Sequence, residues 1–228
     1  MPPSAIETAG IRALVFDFDG VIIDTESSDL RAWREVFEEH GAELTLAVWA
    51  QVIGTQEHHF DPIQHLELLL GMPVDRAGVA ASHARRTMEL TEGQQLLPGV
   101  RELVSYARVQ GIKLAVASSS SRAWVEGHLE KRGIRGDFDC VCCREDVGRT
   151  KPYPDLYLAA LACLGVSALE TVALEDSPNG IAAARAAGIY VVALPNPVTA
   201  ELDLSGADRH LESLAVMSPA ELIDQLSG

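Results

Sequence analysis

Two aspartates separated by one residue, Asp17 and Asp19, stand where carboxylates could hold a cation. The apolar run from Ile11 to Phe16 predicts a buried strand, and Gly20 ends it just beyond the aspartates. Carboxylates so close to a buried strand are costly unless a cation neutralises them, and hard divalent cations prefer oxygen ligands. The pair therefore indicates a magnesium site, although an acidic Asp-Gly turn is the simpler explanation when these residues are taken alone.

A second pair of carboxylates, Glu175 and Asp176, follows the apolar segment that begins at Thr171. Ser177 is suited to cap a helix, and Pro178 is suited to the first helical position, so a helix is predicted next. Carboxylates directly after a buried strand again require a cation.

A serine run and a scarce lysine complete the candidate chemistry. Residues 118–121 are all serine and lie between a predicted strand and a predicted helix, where hydroxyls and free N–H groups can bind an anion. A serine-rich helix cap explains the same run equally well. Lys151 is one of three lysines beside fifteen arginines, which suggests that a compact point charge is needed there, although chance explains one scarce lysine as well.

The segments DFDGVIIDTE, the serine run, GRTKPYP and LEDSPNG occur in an order that resembles the four motifs of the haloacid dehalogenase superfamily. The resemblance is to its phosphatase and phosphomutase branch and covers nearly the whole chain from Ile11 onward. It implies that Asp17 is a nucleophile that forms an aspartyl-phosphate. It also implies that Asp19 protonates the leaving oxygen and then activates water.

The resemblance implies roles for the other motifs as well. Ser118 would bind the transferring phosphoryl group, with Ser119 contributing its backbone N–H. Lys151 would pair with the nucleophile and the phosphoryl oxygens and would complete the catalytic set. A Mg²⁺ ion would be held by four carboxylates, with Glu175 binding directly or through water: Asp17, Asp19, Glu175 and Asp176.

Alternating helices and short apolar strands between residues 98 and 194 predict an α/β protein with a parallel sheet and helices on both faces, a Rossmann-like core. Residues 25–96 contain helical patterns without a convincing strand, so they predict an all-helical module inserted after the first strand. The predicted core then comprises residues 11–24 and 97–228. Residues 1–10 are expected to form a mobile tail.

The helical module resembles the cap of this branch, which would close over the substrate and choose it. Substrate contacts are expected from the loop GTQEHHF, at Gly54, Gln56, His58 and His59. Sugar phosphomutases of the β-phosphoglucomutase type carry a histidine where this chain has Asp29, and an arginine in the loop that is absent here. These departures favour hydrolysis over phosphoryl migration.

The predicted function is therefore a Mg²⁺-dependent phosphatase acting on a small phosphorylated metabolite, a sugar or polyol phosphate. A β-phosphoglucomutase-type sugar phosphomutase is the alternative. A non-catalytic receiver module phosphorylated on Asp17 is a remote one, because receivers have no helical insert after the first strand.

Charge and hydropathy limit the partners. The chain of 228 residues has 18 basic and 33 acidic residues, a net charge of −15, which repels nucleic acid and anionic membranes. It has no apolar stretch long enough to span a membrane and no leader pattern, so a cytoplasmic protein is expected, as a monomer or a weak dimer.

The cysteines and tryptophans are interpreted as structural. Three of the four cysteines are bunched in residues 140–143, which is poor geometry for a disulfide framework and lacks the usual zinc spacing. Free, buried thiols are therefore predicted. Trp33, Trp49 and Trp124 are interpreted as packing residues, and the histidines outside the loop, including His83 and His128, as solvated or capping residues.

Overall fold

The computed structural model describes residues 10–53 and 61–227. Its centre is a six-stranded, fully parallel sheet with the strand order β3-β2-β1-β4-β5-β6. The strands are β1 (Ala13–Phe16), β2 (Lys113–Ala117), β3 (Cys140–Cys142), β4 (Thr171–Glu175), β5 (Tyr190–Ala193) and β6 (Arg209–His210). The predicted α/β class with a Rossmann-like parallel sheet is confirmed.

Strand register places the candidate residues at one edge of this sheet. Phe16 is paired with Val116 on one side and with Leu174 on the other, so the chain leaves β1, β2 and β4 at nearly the same level. Parallel strands run in one direction, and ligands of such sheets bind outside their carboxyl ends. Asp17 and Ser118 begin their loops at that edge, as Asp176 does after β4.

Helices cover both faces of the sheet. They are α5 (Val100–Gln110), α6 (Arg122–Lys131), α7 (Asp155–Leu164), α8 (Pro178–Ala186) and α9 (Pro219–Ser227). One apolar layer joins α5, α6 and α9 to the side chains of Leu14 and Phe16, and the other joins α7 and α8 to Ala13 and Val15. The strand β1 is buried on both faces, as its unbroken apolar sequence predicts.

Between β1 and α5, the described residues form four helices: α1 (Thr25–Glu39), α2 (Leu46–Ile53), α3 (Pro62–Leu70) and α4 (Arg76–Glu92). We call these helices and their connections the helical insert. Its apolar cluster is separate from the two layers on the sheet and contains Trp33, Phe37, Trp49 and Leu66, with Val198 from the core against it. Asp61 caps α3, Pro62 occupies its first turn, and Gly71 is its C-terminal cap.

Several details differ from the sequence-based expectation. The strand β6 and the helix α9 were not anticipated. The tail predicted for residues 1–10 lies outside the described residues apart from Gly10. In the part of the chain that is described, none of the helices is both long and apolar enough to cross a bilayer.

The prediction of four free thiols was wrong for two cysteines, because Cys140 and Cys163 form a disulfide. The helix α7 packs over β3 and brings Cys163, 23 residues further along the chain, opposite Cys140. Sequence spacing within the bunched cysteines could not indicate this partner. Cys142 and Cys143 are free and buried, and burial raises the pKa of their thiols to about 11 and about 12.

Candidate active site

The centre of the site is a buried lysine between two carboxylates. Lys151 Nζ lies 2.5 Å from Asp17 Oδ1 and 2.6 Å from Glu175 Oε1. Only 6% of the lysine side chain is exposed, and Glu175 is fully buried. Burial alone would lower the pKa of Lys151, but these two carboxylates outweigh it and raise the pKa above its usual range. The lysine is therefore a fixed positive charge at this edge of the sheet.

Three carboxylates form a group that could hold a metal ion. One oxygen each from Asp17, Glu175 and Asp176 lies within 4.8 Å of the others, and all three residues are buried. With Lys151 as their counter-charge, three ionised carboxylates leave a net charge of −2. A divalent cation matches this charge, and hard oxygen donors are the ligands that Mg²⁺ prefers. The donor set therefore fits such an ion.

Burial is the main cause of the raised pKa values of Asp17 and Asp176. Burial raises the pKa of Asp17 to about 8, because the attraction of Lys151 does not fully offset burial and the repulsion of Glu175. Burial, with repulsion from Asp17 and Glu175, also raises the pKa of Asp176 well above its usual range. Ionising all of these carboxylates together is costly without additional positive charge.

Neighbouring polar groups hold the carboxylates in place. The Tyr157 hydroxyl donates to Glu175 Oε1 at 2.6 Å, and Asn196 Nδ2 donates to Asp176 Oδ2 at 2.7 Å. A Cβ atom on Gly20, whose φ is +80°, would overlap the Asp176 carboxylate. Only glycine permits this close approach. Sequence reasoning missed Tyr157 and Asn196, although Asn196 follows β5 at the same edge, where ligands of such sheets are expected.

Asp19 lies apart from the three-carboxylate group, held by donors from the serine run and from α6. Ser120 Oγ donates to its Oδ2 at 2.6 Å, with Ser118 Oγ 3.4 Å from the same atom. Trp124 Nε1 donates to its Oδ1 at 3.0 Å. The interpretation of Trp124 as a packing residue was therefore incomplete, because the indole also orients Asp19. The sequence signal that could have revealed this role was the position of Trp124 in the first turn of α6, at the carboxyl edge of the sheet.

The serine run divides between a buried and an open part. Ser118 is fully buried and its Oγ accepts from the Ser120 backbone N–H at 3.0 Å, whereas Ser119 and Ser120 line the cavity. Ser121 caps α6 and accepts from the backbone N–H of Trp124. The open part thus lies at the N-terminus of a helix, where N–H groups favour an anion.

One further prediction in this region was wrong. His128, expected to be solvated or capping, is buried, and its ring is T-shaped against Trp124 at 4.3 Å. Burial and the nearby Arg132 lower its pKa. A neutral His128 therefore packs behind the indole that holds Asp19.

A cavity of about 580 Å³ opens over this edge and reaches the helical insert. Asp17, Asp19 and Lys151 line its core side, while Glu26 and Asp29 of α1 and Thr87 of α4 line the other. Gly54, Gln56, His58 and His59, predicted to contact substrate, lie outside the described residues.

His83 lies beside Asp29 and Thr87, which line the cavity, and its predicted solvated or capping role was wrong. Its Nε2 lies 2.8 Å from Asp29 Oδ1, and its ring stacks on Trp33.

Known proteins similar to this chain agree with this geometry. The profile of the haloacid dehalogenase-like hydrolases matches residues 11–188. The "Putative phosphatase YhcW" of Bacillus subtilis is 42% identical over 217 residues, 95% of this chain and 98% of that protein. "Hexitol phosphatase B" of Escherichia coli K12 is 32% identical over 216 residues, 93% of this chain and 97% of that protein.

A solved structure is similar as well: a variant of CbbY from Rhodobacter sphaeroides in complex with xylulose-(1,5)bisphosphate. It has a TM-score of 0.70 and 29% identity, and the match covers 90% of this chain and 96% of that one. The chain therefore belongs to the haloacid dehalogenase-like hydrolase family, as an enzyme of its phosphatase type.

Proposed function

We propose that the protein is a Mg²⁺-dependent phosphatase that hydrolyses a small phosphorylated metabolite, a sugar or polyol phosphate, through an aspartyl-phosphate on Asp17. The observation that carries this proposal is the position of Lys151, bonded to both Asp17 and Glu175 with Asp176 alongside. A buried cation beside a carboxylate that lines the cavity suits attack on a phosphate, which would otherwise be repelled. Phosphatase relatives that match most of the chain support the same reaction.

In the first half-reaction a carboxylate oxygen of Asp17 attacks phosphorus. The ester P–O bond breaks, and the leaving oxygen takes a proton from Asp19. Lys151 faces the equatorial charge of the phosphoryl group while it transfers. Asp17, Glu175 and Asp176 would hold the Mg²⁺ ion, which when bound supplies additional charge neutralisation to the phosphoryl oxygens.

In the second half-reaction Asp19 takes a proton from water, which attacks phosphorus and releases inorganic phosphate from Asp17. The same carboxyl group thus gives and then takes one proton. Donors from Ser120 and Trp124 fix its two oxygens, so Asp19 can keep one orientation through both steps. Asp19 accepts hydrogen bonds from these donors and is not one of the three grouped carboxylates Asp17, Glu175 and Asp176. Its place among the Mg²⁺ ligands stays a prediction.

The division into a core, residues 11–24 and 97–228, and a cap, residues 25–96, belongs to the same proposal. The insert has its own apolar cluster and faces the core across the cavity. Movement of such a unit would exclude water from the phosphoryl group during transfer.

Hydrolysis is favoured over the mutase alternative by the groups on the insert side. A mutase must retain a bisphosphorylated intermediate, for which a cationic partner is suited. Asp29 and Glu26 line the cavity there instead. The receiver alternative requires a protein without turnover, and the family of this chain argues against it.

The test is a screen of phosphorylated sugars, polyols and small acids for phosphate release with Mg²⁺ and with excess chelator. Release from at least one monoester that stops in chelator is the expected result. Full activity in chelator would refute the metal dependence, and a chain that is phosphorylated once without turnover would support the receiver instead. With β-glucose 1-phosphate and a trace of the 1,6-bisphosphate, isomerisation faster than any hydrolysis would establish the mutase.

A further inference from the structure

One carboxylate of the helical insert is held rigidly at the cavity with a free oxygen. Both neighbouring donors reach the same atom, Asp29 Oδ1: His83 Nε2 lies at 2.8 Å and Thr87 Oγ1 at 3.3 Å. Asp29 Oδ2 has no partner among the residues that the structure describes. The side chain is 34% exposed and lines the cavity, so this oxygen is available to a ligand there.

The neighbours of Asp29 are themselves fixed. The imidazole of His83 stacks on Trp33 with 3.9 Å between ring centroids, and only 16% of the histidine side chain is exposed. Trp33 lies in α1, whereas His83 and Thr87 lie in α4, and these two helices pack closely together. Asp29 is therefore placed by the helix packing of the insert, as a binding group should be.

Asp29 gives this side of the cavity a negative charge. Glu26 and Asp29 line it, and the arginines of the insert that have ion pairs bond to carboxylates away from it, as Arg86 does to Glu35 and Glu39. Residues 50–60 contain no lysine or arginine. Arg144 lines the cavity from the core side and is 60% exposed.

We propose that Asp29, positioned by His83 and Thr87, binds hydroxyl groups of the substrate's leaving group. The enzyme is thereby specific for monophosphates of uncharged, hydroxyl-rich compounds and discriminates against bisphosphates. This inference rests on the proposed phosphatase function. A carboxylate oxygen accepts hydrogen bonds from hydroxyls, and charge-assisted bonds of this kind are strong. A second phosphate brought to the same place meets a like charge and no nearby cation of the insert.

The first test compares esters with and without hydroxyls in their leaving groups. Phosphate release is measured with sorbitol 6-phosphate, mannitol 1-phosphate, glucose 6-phosphate and p-nitrophenyl phosphate, which has no hydroxyl on its leaving group. Asp29→Ala is expected to lower the kcat/KM ratio of the best hydroxylated ester to p-nitrophenyl phosphate by about tenfold or more, mainly through KM. His83→Gln should move the same ratio in the same direction by less, because Asp29 remains. Glu38→Gln, an exposed acid of the same helix, is the matched control and should leave the ratio unchanged.

The second test concerns charge. Wild-type protein should have a higher kcat/KM for the best hydroxylated monophosphate than for fructose 1,6-bisphosphate, and Asp29→Asn should narrow this preference. A wild-type preference for the bisphosphate, or an equal loss on all esters in the Asp29 variants, would overturn the inference alone. Absence of phosphate release from every ester would overturn the proposed function and the inference together.

Discussion

The carboxyl edge of the sheet and the helical insert hold their charges in opposite ways. At the edge, Lys151, Asp17 and Glu175 are nearly inaccessible to water and share bonds at 2.5 and 2.6 Å. In the insert, pairs such as Arg85 with Glu89 are about 60% exposed on both sides. The same types of charged residue thus form buried ion pairs in one region and solvent-exposed ion pairs in the other.

This difference in solvation separates two tasks. Buried charges interact strongly but are expensive to assemble, so they suit a reaction centre whose geometry must not change. Exposed pairs contribute little and are screened by salt. Exposed pairs of the insert such as Arg85 with Glu89 can therefore vary at low cost, and the reaction centre cannot. Asp29 is intermediate, partly exposed yet fixed by two neighbours.

The largest expected effect is loss of the nucleophile. Asp17→Asn should lower kcat by about 10³-fold or more, since an amide does not attack phosphorus, while the fold remains intact. Phosphate release and circular dichroism of the same preparations check both parts. Asp224→Asn, on the exposed face of α9, is the control. A parental rate in Asp17→Asn would remove Asp17 as the nucleophile.

The second-largest expected effect is on the free energy of unfolding, and it compares the two regions directly. Lys151→Met leaves the buried carboxylates without their counter-charge and should lower the free energy of unfolding in chelator by about 3–5 kcal/mol. Arg85→Met removes an exposed pair of the insert and should change it by less than about 0.5 kcal/mol. Urea denaturation measures both. An equal decrease in the free energy of unfolding in the two variants would contradict the contrast between buried and solvent-exposed charges.

Much of the fold and of the site's framework could be predicted from the sequence, for one physical reason. Parallel strands end at the same edge, so residues directly after buried strands meet there, however far apart they are in the chain. That rule indicated that the carboxylates after β1 and β4 and the serines after β2 lie together. Lys151 lies in a loop with no strand directly before it, so only its scarcity singled it out, and the resemblance supplied its role.

The remaining parts depend on packing that no local pattern encodes. The disulfide requires α7 to dock on β3, which brings the Cα atoms of Cys140 and Cys163 to 6.4 Å. The bond from Trp124 to Asp19 depends on the angle at which α6 leaves the sheet. His83 becomes a partner of Asp29 only when α4 packs against α1. Each of these pairs joins residues whose separate sequence contexts look ordinary.

A smaller effect should separate the two tryptophan environments. Trp124→Phe keeps an aromatic ring but removes the donor to Asp19, and we expect about a tenfold loss, mainly in kcat. Trp49→Phe is the matched control in the insert, because Trp49 is buried and its Nε1 has no partner among the described residues. It should leave kcat unchanged. A similar loss of kcat in both variants would indicate general destabilisation instead of a role in orienting Asp19.

A separate test concerns the pH dependence of stability at Glu26, which lies where the two regions meet. Burial, followed by repulsion from Asp19 and Asp29, raises the pKa of Glu26 to about 8. In the unfolded chain a glutamate titrates near pH 4.3, so between that value and pH 8 the folded state binds more protons. The stability contributed by the raised pKa is complete below the pKa of the unfolded state and is lost as pH rises through the pKa of the folded state.

The variant Glu26→Gln cannot ionise at this position, so it does not lose stability in this way as pH rises. In chelator its melting temperature relative to wild type should therefore increase between pH 5 and pH 8.5, by about 2–4 °C for each kcal/mol recovered. Glu38→Gln, at an exposed position, should show no such trend with pH. If the difference in melting temperature between Glu26→Gln and wild type is the same at both pH values, Glu26 is already ionised, as a solvated glutamate of the insert would be.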